Sequence, residues 1–182
     1  RPGRNPPVSD VTDVIPMIEG KWTMIPGLHF EKNLAALKKI HPSQGEAIAT
    51  LSPKVEYRLY PVTPLGDGFF NVTIPLPAEH SVSLFLTPDP QNELRQWLTN
   101  PLRGAAQTHA VILLGFGMGY EASRLLEALP AHGILILVEP DPIQFFTAFH
   151  HADLTALLGN PRVHLYVGQT AEQAVDRIGR DL

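Results

Sequence analysis

The chain is 182 residues long, enough for one ordinary domain or for one domain with an appended module. Its 14 basic and 18 acidic side chains leave a net charge of −4, so no basic surplus points to nucleic acid or to an anionic membrane as a partner. With no cysteine it has no disulfide framework, thiolate metal site or cysteine nucleophile, and no apolar run approaches the roughly 18 residues of a membrane span; a soluble, cytoplasmic protein is expected.

Proline divides the chain: of 18, 14 lie at or before Pro101 and four follow. Residues 1–27, with Pro2, Pro6, Pro7, Pro16 and Pro26, predict an extended arm that Val14, Ile15, Met17, Ile18 and Trp22 could anchor. A first residue other than Met, and a last stretch from Thr170 to Leu182 that reads as helix, suggest a piece of a longer polypeptide. From 28 to 80 the expectation is a helical and β-meander region. Phe30, Leu34, Leu37 and Ile40 follow helical spacing, His41-Pro42 breaks that helix, and a second runs from Ser43 to Leu51. Three strand candidates follow: Val55, Tyr57 and Leu59; Phe69 to Ile74; and Val82 to Leu86. Gly66-Asp67-Gly68 and Pro75-Leu76-Pro77 separate them.

Residues 81–182 have the rhythm of a Rossmann-like α/β domain. A short helix is expected over Gln91 to Thr99, then a strand buried on both faces over Ala110 to Gly115 and a helix over Tyr120 to Leu129. Further strands are expected at Ile134 to Val138 and Val163 to Val167, with helices from Pro142 to Phe149, Asp153 to Leu158 and after Gln169. Strands joined by helical crossovers imply a parallel sheet in three layers. The unit from Val82 through the Gln91 helix to Val111 has the same form, so Val82 to Leu86 is expected beside the Ala110 strand as a fourth parallel strand.

The informative stretch is Gly115-Phe116-Gly117-Met118-Gly119-Tyr120, between a strand and a helix. Glycines there permit unusual φ and close approach of a ligand, and the helix N-terminus offers free N–H groups. Tyr120 stands where a dinucleotide fingerprint has its third glycine, so that fingerprint is only partly met. Glu139 ends the next strand 20 residues beyond Gly119, where nucleotide-binding folds grip ribose hydroxyls. The candidate ligand-binding set is therefore Gly115, Gly117, Gly119, Glu139 and Asp141, for a nucleotide or nucleoside-like ligand. Two plainer readings stand beside it: the glycines let helix and sheet pack, and Asp141 before Pro142 is a helix cap. The Phe145, Phe146 and Phe149 stripe reads as core. No lysine completes a phosphate-binding loop, the scattered histidines do not converge on a metal, and no serine has nucleophile context. No catalytic residue is assigned.

Several motifs together resemble the N-terminal domain of the motility accessory factor (Maf) proteins, bacterial flagellin glycosyltransferases. They are Phe30-Glu31-Lys32-Asn33-Leu34-Ala35-Ala36-Leu37-Lys38-Lys39, Leu86-Thr87-Pro88-Asp89-Pro90 with Glu93, the glycine loop, Val138-Glu139-Pro140-Asp141, Asp153-Leu154 and Asn160-Pro161-Arg162-Val163, in order over residues 28–168. The resemblance implies a three-part parent: this Rossmann-like domain, a central glycosyltransferase domain related to sialyltransferases and to an archaeal pterin diphosphokinase, and terminal helices. The parent would transfer pseudaminic or legionaminic acid from a CMP-sugar to flagellin serine or threonine. The partners so implied are the catalytic domain of the same chain and, as a further candidate, flagellin. Catalytic roles fall after Leu182 and map to no residue here.

Two other classes remain open. An S-adenosylmethionine-dependent methyltransferase also uses a G-x-G-x-G loop and an acid ending the second strand, although Leu113 stands where such enzymes often carry an acid before the loop. A pure protein-interaction domain with a vestigial crevice is the other.

Overall fold

The computed structural model describes residues 28–52 and 59–181. The arm expected over residues 1–27, and Val55 and Tyr57 of the first strand candidate, lie outside the described residues. The chain opens on α1 (Leu28–Ile40) and α2 (Pro42–Leu51). Phe30, Leu34 and Leu37 of α1 are buried, while Glu31 in its first turn and Lys38 and Lys39 in its last match the helix dipole. Pro42 has no N–H to continue the helix, so His41 turns out of it at φ −126° and ψ 70° and a new helix starts on the proline.

An antiparallel meander follows: β1 (Val62–Gly66), β2 (Phe69–Pro75) and β3 (Ser81–Ser83), paired in that order. The β1–β2 turn is Asp67-Gly68, both at positive φ (50° and 79°), the backbone that two-residue hairpins favour. The middle strand lies where the alternation predicts. β1 lies later than the first candidate, and Pro61 just ahead of it and Pro64 within it explain why it was hidden: as an edge strand β1 tolerates a missing N–H, and Pro64 still pairs in register with Phe70.

The third candidate needs correcting. β3 stops at Ser83 and pairs antiparallel with β2 (Thr73 opposite Ser83), so Val82 to Leu86 is not a fourth strand of the parallel sheet. Side chains draw the segment away. The Asn71 amide both accepts from the Phe85 N–H and donates to its C=O, each at 2.9 Å, imitating a strand partner. Glu93 then collects the N–H groups of Leu86 and Thr87 at 3.1 Å and the Thr87 hydroxyl at 3.0 Å.

Glu93 belongs to α3 (Pro90–Ala105), capped by Asp89, whose carboxylate accepts the Asn92 N–H at 3.0 Å. The helix runs beyond the expected Thr99, through Pro101. A proline inside a helix deletes one hydrogen bond, but Leu94, Leu98 and Ala105 keep a buried stripe on both sides of it, and burial outweighs the lost bond.

The remaining elements are β4 (Ala110–Leu114), α4 (Tyr120–Ala128), β5 (Ile134–Glu139), α5 (Pro142–His151), α6 (Thr155–Leu158), β6 (Val163–Val167) and α7 (Ala171–Asp181), much as the sequence predicts. The strands form a parallel sheet in the order β4-β5-β6. Helices α4, α5 and α6 cover one face, with Leu135, Leu137, Val163 and Leu165 beneath them; α7 covers the other, on Ile136, Val138 and Tyr166. This is the three-layer, Rossmann-like α/β arrangement. β5 is buried on both faces, but β4 is not: Ile112 is 56% and Leu114 78% exposed. The expectation of a doubly buried β4 fails because its outer neighbour and the helix over its second face are lacking among the described residues.

One apolar cluster joins the front region to the sheet. Phe30 of α1 lies against Phe146 and Phe149 of α5 at centroid distances of 6.4 and 5.3 Å. Phe69 and Phe85 pack on Tyr120 at the start of α4, whose hydroxyl accepts the Phe70 N–H at 2.7 Å. Asn33, fully buried, donates from its amide to the carbonyls of Phe149 and Ala152 and accepts the Leu154 N–H, all at 2.9 Å.

At the end of α5 the His151 imidazole is held down at about 4, first by burial and then by the neighbouring His150 and His29. A histidine whose folded value is below its ordinary 6.5 contributes stability that is present above that value and lost as pH falls toward 4. His151→Asn should therefore remove about 2 kcal/mol of the stability lost between pH 7 and pH 4, the rest of the shift being screened by solvent. Urea unfolding of both proteins at the two pH values measures this, and parallel pH profiles would refute it.

Candidate functional site

The loop from Gly115 to Gly119 joins β4 to α4. Gly115, Gly117 and Gly119 sit at φ 89°, 54° and 82°, where side-chain-bearing residues are strained. A Cβ on Gly119 would lie 2.5 Å from Leu154 Cδ2 and one on Gly117 3.3 Å from Leu84 Cδ1, so those leucine side chains would have to shift, while Gly115 has open space; the backbone angle is the common constraint. The residues between turn inward. Phe116 and Met118 are buried, and the Phe116 ring meets Phe145 edge-on at 5.2 Å. The G-x-G-x-G pattern thus alternates backbone bends with two core plugs.

Glu139 closes β5 beneath this loop and is 5% exposed. Its Oε2 accepts the Phe116 N–H at 2.7 Å and its Oε1 the Asp141 N–H at 2.9 Å. Burial raises its carboxyl above the ordinary range, against the two donors and aided by the Asp141 charge. Asp141 accepts the Ile143 N–H at 2.9 Å, the cap that its place before Pro142 predicts, and takes the Tyr60 O–H at 2.6 Å on its other oxygen. The Tyr60 phenol is pushed up to about 12, mostly by burial and then by Asp141 and Glu139. The five residues singled out in the sequence are therefore gathered around one loop. Through its two oxygens Glu139 ties that loop, at Phe116, to the turn ahead of α5, at Asp141.

Three contributors were missed. Tyr60 lies just past a stretch read as strand and carries no motif. Gln144 donates from Nε2 to the Gly117 carbonyl at 2.8 Å. Its spacing from Asp141 is that of a capping box, a signal that could have found it, although here Glu139 takes the Asp141 N–H that such a glutamine would bond. Glu121, in the first turn of α4, lies beneath the loop with Oε2 3.5 Å from a Cβ on Gly117, and burial raises its carboxyl. Tyr120 fills the place of the third fingerprint glycine and anchors the meander instead.

Other motif residues bond backbone in the same way. Arg162 donates to the carbonyls of Pro130 (2.9 Å), Gly133 and Leu126 (both 3.4 Å). Two shallow grooves lie elsewhere: one of about 230 Å³ between Phe69, Leu94, Arg95, Leu98 and Arg124, and one of about 270 Å³ between the Asp67 turn and Pro88 to Gln91. Among the described residues no three His, Asp or Glu side chains form a metal-binding group, and no helix is long and apolar enough to cross a membrane.

Fold and loop together define a Rossmann-like α/β module with an antiparallel meander packed over its glycine loop. No protein-family model matches the chain, and no curated protein does. Among solved structures it is similar to the Maf glycosyltransferase from Magnetospirillum magneticum AMB-1, with a TM-score of 0.52 and 19% identity. The match covers 86% of this chain and 30% of that one. The likeness is one of fold, and it falls on the family that the motifs resemble.

Proposed function

We propose that this chain is the N-terminal, non-catalytic module of a Maf-type bacterial glycosyltransferase. The parent enzyme transfers a nonulosonic acid from its CMP-sugar to serine or threonine of flagellin in the cytoplasm, and this module positions the catalytic domain that follows it in the same chain. The fold likeness and the ordered motifs support the family. The observation that carries the positioning role is the use of the motif side chains: Asn33, Glu93, Glu139, Asp141 and Arg162 spend their polar atoms within the module, mostly on its backbone, with the Tyr60 and Thr87 hydroxyls bonded to Asp141 and Glu93. A residue that grips a ribose turns its carboxylate to the ligand, whereas Glu139 is 5% exposed and each of its oxygens already accepts a backbone N–H.

Two measurements test this. The protein should show no rise in melting temperature with CMP, S-adenosylmethionine or NAD, whereas a ligand at 100 times its Kd would add about 2.7 kcal/mol. Such a rise would restore the nucleotide-site reading of Gly115, Gly117, Gly119, Glu139 and Asp141. For the parent, incubation with flagellin and CMP-nonulosonic acid should add sugar masses to flagellin peptides, and unmodified peptides would refute the family reading.

A further inference from the structure

Two histidines that lie apart in the sequence meet at the end of the parallel sheet away from the glycine loop. His109 stands immediately before β4 and His132 two residues before β5. Their rings come together there: His132 Nε2 lies 2.7 Å from His109 Nδ1, with centroids 4.5 Å apart and planes at 36°. The sequence shows no such pair, because the two are 23 residues apart and not three or four along one helix.

Both side chains stand on fixed supports. Parallel pairing sets Ala110 opposite Ile134, and the His109 carbonyl accepts the Ile134 N–H at 2.9 Å, which ties the two strand starts together at the histidines. The turn that carries His132 closes on itself, the Gly133 N–H donating to the Pro130 carbonyl at 2.8 Å. Arg162 holds both ends of that turn, donating to the carbonyls of Pro130 at 2.9 Å and Gly133 at 3.4 Å. The histidines themselves are exposed, so a dissolved ion reaches them.

Two ring nitrogens at 2.7 Å can share one proton or one metal ion. A shared proton is held best in line, which would set the centroids about 5 Å apart. The observed rings are closer than that and bent at the contact. Bent is the arrangement of two neighbouring ligands on one ion. With bonds of about 2.0 Å, ligands at a right angle hold their nitrogens about 2.8 Å apart and tetrahedral ones about 3.3 Å. The 2.7 Å bite therefore suits the tetragonal geometry of Cu2+ or Ni2+ better than tetrahedral Zn2+. Binding asks only that the ring donating its N–H carry that proton on its outer nitrogen instead, so that both inner nitrogens offer lone pairs. Among the described residues no third His, Asp or Glu completes a metal-binding group, which leaves the other positions on the ion to water.

We infer that His109 and His132 form a two-histidine chelate for a divalent transition metal, taking Cu2+ first, Ni2+ next and Zn2+ least. The site stands apart from the glycosyltransferase reading, and an ion bound there would clasp the start of β4 to the turn ahead of β5.

Calorimetry of the 182-residue protein with Cu2+, Ni2+ and Zn2+ chlorides in turn tests this. The tightest Cu2+ equivalent should weaken about 100-fold in His109→Asn and equally in His132→Asn, the loss expected when a second tethered ligand is removed. The double variant should lose little more than either single one. His80→Asn, at an exposed histidine elsewhere, should bind as wild type does. Wild-type affinity in either single variant, losses that add in the double variant, or tighter binding of Zn2+ than of Cu2+ would each overturn the inference. Electron paramagnetic resonance of the wild-type protein with one Cu2+ gives a second measurement that needs no variant to fold. It should show a tetragonal signal split by two imidazole nitrogens, and splitting by one nitrogen or none would overturn the chelate.

Discussion

Replacing Glu139 with alanine should lower the folding stability of the ligand-free protein by about 3–5 kcal/mol, near 10 °C in melting temperature or more. The carboxylate is almost wholly buried and bonds two backbone N–H groups, those of Phe116 in the loop and Asp141 ahead of α5. Hydrogen bonds to a charged group are worth about 1.5–3 kcal/mol each, and the alanine leaves both donors without a partner. Glu139→Gln keeps one acceptor and turns an NH2 toward the other donor, so its cost should fall between wild type and alanine. Urea unfolding followed by circular dichroism measures the series. A ligand-gripping glutamate would give another pattern, with stability of the empty protein nearly unchanged and only ligand affinity lost; a cost under about 1 kcal/mol would therefore remove the buttress role.

Asn33→Leu should cost about 3–4 kcal/mol, although leucine has the same branched outline and suits a helix better. Asn33 lies wholly inside, and its amide supplies what the C-terminal end of α5 lacks: the carbonyls of Phe149 and Ala152 have no intrahelical partner, and Asn33 donates to both. Its oxygen meanwhile accepts the Leu154 N–H ahead of α6. Leucine strands all three groups. Asn33→Asp should be at least as costly, because it turns an acceptor toward two carbonyls. If Asn33→Leu unfolded at the same urea concentration as wild type, the tie between α1 and α5 would carry no weight.

The parallel sheet was legible because β5 opens as an unbroken run of Ile, Leu and Val and β6 is a short strand of Val, Leu and Tyr bounded by turns, and α5 announced itself through Asp141 and Pro142. The glycine loop could be placed for the same reason, and its glycines do sit at positive φ. Its chemistry could not be read so directly. An acid 20 residues past a glycine loop has one spacing whether it faces a ribose or the backbone, and only the distances from Glu139 to Phe116 and Asp141 separate the two. β1 was obscured by Pro61 and Pro64, which an edge position tolerates. The end of α3 was obscured by Pro101, which the buried stripe overrides. Val82 to Leu86 misled because alternation alone does not say which sheet a strand joins; the Asn71 and Glu93 side chains settle that through contacts 14 and 6 or 7 residues away. The exposure of β4 was hidden since Ala110-Val111-Ile112-Leu113-Leu114 is apolar on both faces, whether or not both are covered.

The single apolar cluster from α1 to β6 bears on how such a module can be inherited or cut. Phe30 leans on Phe146 and Phe149, Phe69 on Tyr120, and Tyr60 reaches Asp141. A gene fusion, truncation or expression boundary set near residue 80 would run through the middle of that packing and bare an aromatic wall on each half. The front helices and meander are thus not a detachable prefix to a nucleotide fold, and neither half can be moved without the other.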